Sequence, residues 1–140
     1  MIPNHPFNQY QETYVSTSTP RELIALLYEE ALRCLIGAEE ALSMEQNFRK
    51  RQCIVKAADV VSELAASLNM EKGGAIGEQL ALLYEHVLRK LLESNVSDTP
   101  EPLNEAKEIL TTLKAGWDQI CLAPSNTLDA EKRHTIPANG

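Results

Sequence analysis

Between Thr19 and Pro124 apolar residues recur at intervals of three and four, interrupted three times by short polar or glycine-containing breaks. That interval follows the helical turn and not the two-residue alternation of a half-buried strand, and no strand candidate competes. Helices with one apolar face must bury it on one another, and short connections make sequence neighbours antiparallel. The expected fold is therefore all-α, an antiparallel up-down-up-down four-helix bundle over residues 19–123. A partly ordered N-terminal arm (1–18) precedes it and a disordered C-terminal tail (124–140) follows.

The first helix has a marked start. Thr19 can cap the free N–H groups, Pro20 suits the first helical position, and Glu22 completes a capping box. At 100° per residue, Leu23, Leu27, Ala31, Cys34, Leu35, Ala38 and Leu42 share one face with Ile24 and Tyr28, and the helix ends near Ser43. The second helix, from Phe48 to Leu68, turns Ile54, Ala57, Ala58, Val61, Leu64, Ala65 and Leu68 inward. Asn69 and the pair Gly73-Gly74 can take left-handed backbone conformations that close one helix and open the next. The third, from Ala75 to Asn95, is expected to turn Ile76, Leu80, Leu83, Tyr84, Val87 and Leu91 inward, with Leu82 alone on the polar side. The fourth carries Leu103, Ala106, Ile109, Leu110, Leu113, Trp117 and Ile120, and Pro124 ends it.

Composition narrows the function by exclusion. The net charge of −7 opposes binding to a phosphate backbone, and the basic run Arg49-Lys50-Arg51 lacks interleaved aromatics, so no nucleic-acid partner is expected. No apolar run reaches the ~18 residues of a membrane span, and the N-terminus has no signal-peptide pattern. A reducing cytosol suits Cys34, Cys53 and Cys121, whose spacing fits neither zinc nor a disulfide framework; buried free thiols are expected.

Catalytic chemistry finds no foothold. His5, His86 and His134 are unaccompanied by metal-ligand spacing, and Glu85-His86 are adjacent and diverge around a helix. Glu29/Glu30 and Glu39/Glu40 read as solvated charge. No ionisable residue is expected on the inward faces, and no phosphate loop occurs. Hence no enzyme activity, cofactor or metal is expected.

What is left is surplus apolar surface. A bundle helix gives about three residues in seven to the core. The first helix exceeds this through Leu26, Leu32 and Ile36, and the third through Ala81, Leu88 and Leu92. Exposed stripes of this kind call for a cover, and grooves of bundles accept amphipathic partner segments. The arm holds Phe7, Tyr10 and Tyr14, unusual for a disordered segment. Tyr10, Tyr14 and Val15 could cover the stripes permanently, or serve as a removable cover over a partner site. A structural or dimerisation module without a client would use the same stripes, and a monomer or weak dimer is expected.

A set of segments occurs in a fixed order along the chain: Tyr10-Gln11, Thr19-Pro20-Arg21-Glu22-Leu23-Ile24 and Leu27-Tyr28-Glu29-Glu30-Ala31-Leu32. They are followed by Leu68 to Ile76, with its Gly73-Gly74 step, by Leu83-Tyr84 to Leu91, and by Glu93-Ser94-Asn95 and Ala115-Gly116-Trp117. On these segments, from Tyr10 to Ile120, the chain resembles the FliS family of flagellar secretion chaperones. His86 stands where an aromatic is common in that family, and Ser94 where alanine is. The resemblance implies a cytosolic chaperone for the disordered C-terminal segment of flagellin. Such a chaperone prevents premature polymerisation and delivers the client to the flagellar type III export gate. It further implies that the arm is displaced by the client.

Overall fold

A computed structural model describes residues 19–68 and 70–122. The expected arm and tail, with Tyr10 and Tyr14, lie outside these residues. Four helices follow one another: α1 (Pro20–Ser43), α2 (Asn47–Ala66), α3 (Met70–Val96) and α4 (Glu101–Leu122). Each packs on its sequence neighbours and α4 closes against α1, so the four form a ring around one core. Among the described residues no strand occurs.

The start of α1 is the capping box read from the sequence. The Glu22 N–H donates to Thr19 Oγ1 at 3.1 Å and the Thr19 N–H donates to Glu22 Oε1 at 3.0 Å. Its far end closes without glycine. The Gln46 N–H reaches the Ala41 carbonyl at 2.8 Å and the Glu45 N–H reaches Leu42 at 3.1 Å. This is the Schellman pattern, and it puts Glu45 at φ 56°, a left-handed conformation that glycine adopts more cheaply. The three-residue turn then reverses the chain into α2.

The core matches the expected inward faces of α1, α2 and α4 closely, with Leu27, Leu35, Ile54, Val61, Leu64, Leu103 and Leu110 all buried. On α1 the last inward position belongs to Ala41, while Leu42 is half-buried. On α3 two expectations fail, because Ile76 is 69% exposed and Leu83 38%. The inward arc of α3 is centred on Tyr84, Val87 and Leu91 and takes in Gly77 and Ser94. Leu83 and Ile76 share the edge of the helix that carries Lys90, seven residues apart each, and Lys90 points to the α4 side. The apolar half-circumference of α3 is thus wider than the sector its neighbours can cover.

Two polar groups shape this core. The Tyr28 and Tyr84 hydroxyls share a hydrogen bond of 2.5 Å across the bundle from α1 to α3. Burial pushes both phenols above their ordinary range. Burial also pushes the Cys34 thiol up to about 11, with the nearby Glu30 carboxylate adding to it. Cys53 is free but only half-buried, short of the burial expected, and packs against the edge of the core.

The second polar group corrects the expectation of inward faces without ionisable residues. Lys50 is buried, one turn before Ile54 on the core stripe of α2. A buried ammonium is tolerated only with partners. Lys50 Nζ donates to the Ser97 carbonyl at 2.8 Å and lies 3.6 Å from Asp98 Oδ1. The last turn of α3 has no basic residue of its own, and its final carbonyls lack helical acceptor roles. Lys50 supplies the missing donor from the neighbouring helix and fixes the start of α2 level with the end of α3.

Gly74 interrupts the helical backbone of α3 at φ 54°, ψ −134°, and a Cβ there would touch nothing within 4 Å. Any penalty for a side chain at that position is therefore backbone strain alone. Gly74→Ala should lower stability by about 1–3 kcal/mol, whereas Glu45→Gly should raise it by about 0.5–1 kcal/mol; urea midpoints check both. The buried thiol and phenols give a pH dependence of known sign. Unfolded, the thiol ionises near 9.0 and the tyrosines near 10.0; folded, all three ionise higher. The unfolded chain loses these protons first, so urea midpoints should fall as pH rises above about 9 and stay level for these groups below it.

Candidate partner-binding surface

A ring of four helices gives each helix two neighbours, and the residues beyond those contacts form its outer surface. Leu32, Ile36 and Glu39 stack along one side of α1 at helical spacing. Lys107 of α4 donates to Glu39 Oε1 at 3.0 Å, so that side looks toward α4. Leu26, Glu30, Arg33 and Gly37 stack along the opposite side, and a Cβ on Gly37 would sit 3.1 Å from Cys53 Sγ of α2. Leu26 therefore belongs to the α2 side, away from Leu32 and Ile36.

On α3 the geometry is set by charge. His86 Nε2 lies 3.2 Å from Glu105 Oε2 of α4, and Lys90 Nζ lies 3.3 Å from Glu105 Oε1. His86 thus makes an inter-helix contact. Hydrogen bonds to Glu93 and then Glu105 hold the Lys90 ammonium above its usual range, and His86 followed by Lys90 hold Glu105 below the usual carboxylate range. This polar seam closes α3 on α4. Ala81, Leu88 and Leu92 lie on the other side of α3, toward α2.

The six described residues anticipated from sequence therefore divide among three sides of the bundle instead of lining one groove. They differ in burial too. Leu32 and Leu88 are half-buried and pack against the core, whereas Ile36 is 49% exposed and Leu92 68%. Leu26 and Ala81 are half-buried. Seven exposed large apolar residues were not among those anticipated: Met44 after α1, Phe48 and Val55 on α2, and Ile76, Leu82, Leu83 and Val96 on α3. Because Lys50 ties the start of α2 to the end of α3, Phe48, Val55, Leu92 and Val96 gather at the same end of the α2–α3 side. The signal for Phe48 and Val55 was their seven-residue spacing on the face opposite Ile54 and Ala57.

Among the described residues no cluster of histidine, cysteine or carboxylate side chains could hold a metal ion, and no helix is long and apolar enough to cross a membrane. The sole described tryptophan, Trp117, donates through Nε1 to the Arg21 carbonyl at 2.9 Å, joining α4 to the first turn of α1.

Fold and surface define an all-α bundle that leaves large apolar side chains outside its core. Comparison with known proteins narrows that class. The family described as flagellar protein FliS matches residues 3–124. The flagellar secretion chaperone FliSB of Pseudomonas aeruginosa is 36% identical over 116 residues, covering 80% of this chain and 92% of that protein. The flagellar secretion chaperone FliS of Salmonella typhimurium is 30% identical over 110 residues, covering 78% and 82%. Its Bacillus subtilis counterpart is 27% identical over 119 residues, covering 85% and 88%. The chain belongs to the FliS family of flagellar secretion chaperones, and the family is not one of enzymes.

The difference in burial between two leucines one turn apart gives a direct test. Leu88→Asp places a charge against the core and should lower stability by about 2–4 kcal/mol. Leu92→Asp should change it by less than about 0.5 kcal/mol. Thermal or urea unfolding of the two variants checks the assignment of α3's outer face.

Proposed function

We propose that this chain is a stoichiometric export chaperone for the C-terminal segment of flagellin, acting in the bacterial cytosol. It holds that segment away from premature polymerisation and presents it to the flagellar type III export gate. The observation that carries the reading is the placement of Ile36, Leu92 and Val96, exposed on more than one side of the ring. One rigid partner helix cannot contact residues so dispersed. An extended client that folds as it wraps the bundle can.

The ordering entropy of such a client offsets much of the apolar contact, which leaves affinity moderate and release feasible. Leu26, Leu32, Ile36, Ala81, Leu88 and Leu92 are the client-contacting positions on the bundle. In this reading residues 1–18 act as a displaceable cover through Tyr10 and Tyr14, and residues 19–123 hold the client. The bundle itself uses no cofactor or nucleotide.

Calorimetric titration with the C-terminal segment of the same organism's flagellin tests the proposal. Saturable binding at one client per chain is expected, weakened about tenfold or more by Ile36→Asp combined with Leu92→Asp, with helicity unchanged. Absence of binding at tens of micromolar, on the order of a weak peptide interaction, sinks it.

A further inference from the structure

The basic run at the start of α2 is left unexplained by client binding. Residues 48–58 hold Arg49, Lys50, Arg51 and Lys56 and no acidic residue; removing these four charges from the net −7 leaves −11 for the remainder. A helix start favours negative groups, because its first N–H groups are unsatisfied and its dipole is positive there. Here the pattern is inverted. The N-cap Gln46 makes no side-chain cap hydrogen bond, and the first turn of α2 has no acidic residue. By contrast α1 begins with a complete capping box and Glu22, and α4 has Glu101 in its first turn.

Not all four cations are available. Lys50 is buried against Ser97 and Asp98. Arg49 Nη2 is 3.0 Å from Glu40 Oε1, with both side chains well exposed, a pair that contributes little and exchanges easily. Arg51 and Lys56 are exposed, and among the described residues neither has an ion-pair partner. At 100° per residue Arg51 lies on one flank of the outward face of α2, and Lys56 with Arg49 on the other. Between them run Phe48, 71% exposed, and Val55, 51% exposed, two turns apart. An open recess lies over this face, bordered by Phe48, Gln52, Val55 and Lys56. One turn further on, Asp59 and then Glu63 end the basic stretch.

We propose that the outward face of the first half of α2 is a second docking surface, and that its occupant is an acidic amphipathic helical segment of another polypeptide. Phe48 and Val55 take the partner's apolar residues at i and i+7. Arg51 and Lys56 take carboxylates on either flank. A carboxylate at the partner's end nearest Gln46 completes the uncapped start of α2. A basic or neutral helix gains only the small apolar contact, so charge selects the partner. The surface lies on α2 beside the client position Leu92, at the same end of the α2–α3 side, and is set apart from the client positions by its positive charge; it does not depend on the client being flagellin.

The test uses the full chain and a fluorescein-labelled, helix-forming peptide with Leu at i, i+3 and i+7 and Glu on both flanks. A twin peptide with Lys in place of Glu is the control. Fluorescence anisotropy should show the acidic peptide binding with a dissociation constant of about 10–500 μM, and at least about tenfold more weakly for Arg51→Glu combined with Lys56→Glu. Phe48→Ser should lose binding without changing the urea midpoint, and Arg51→Gln with Lys56→Gln should lose part of it. Affinity should fall as salt rises from about 50 to 300 mM. Equal binding of the two peptides, no binding at about 1 mM, or unchanged affinity in the charge-reversed variant overturns the proposal. So does tighter binding of a short DNA duplex than of the acidic peptide. Competition by a flagellin C-terminal segment at saturation also overturns it, since the two sites would then be one.

Discussion

The rest of this structure depends on how little of a helix a four-membered ring can cover. Each helix touches two neighbours and the shared interior, so a sector of its surface is buried and the remainder faces out. Where the apolar arc is no wider than that sector, as on α4, the core consumes it. Where it is wider, as on α1 and α3, large side chains stay outside. Ile36, Leu92 and Val96 are outside for this reason and not through any local distortion.

The ring also has to close its ends, and it does so with unlike devices. The capping box at Thr19 is local and was readable at once. The reversal after α1 is equally local but uses Glu45 in a conformation better suited to glycine. The end of α3 relies on Lys50, a residue from another helix, which converts a charge into a register pin between α2 and α3. The start of α2 has no comparable side-chain cap. Differences of this kind separate ends that the fold completes from an end that it leaves to other molecules.

Much of the fold was legible because helical periodicity and capping are local. The element order, the capping box, and the inward faces of α1, α2 and α4 all follow from residue spacing. The two errors on α3 share one cause. Ile76 and Leu83 are apolar and lie near the inward arc, yet periodicity defines an arc only relative to its own centre. The position of that centre depends on which side the neighbours stand, and the His86–Glu105–Lys90 contacts that fix it are tertiary. Lys50 was missed because Arg49-Lys50-Arg51 reads as one solvated cluster, although adjacent residues diverge by 100° around a helix. Of the surface, the surplus apolar character was visible from composition along each face. Its division among three sides was not, since sequence alone does not say which flank of α1 meets α2 and which meets α4.

Trp117 gives the bundle a property unrelated to its packing. It is the only tryptophan in the chain, and its indole N–H is held by the Arg21 carbonyl, two residues past the point where the first 18 residues join the bundle. Ultraviolet excitation at the red edge of protein absorption thus illuminates a single chromophore at that junction. The unlabelled molecule carries its own optical gauge there, and a change in polarity or packing around the first turn of α1 shifts the emission of one identified side chain.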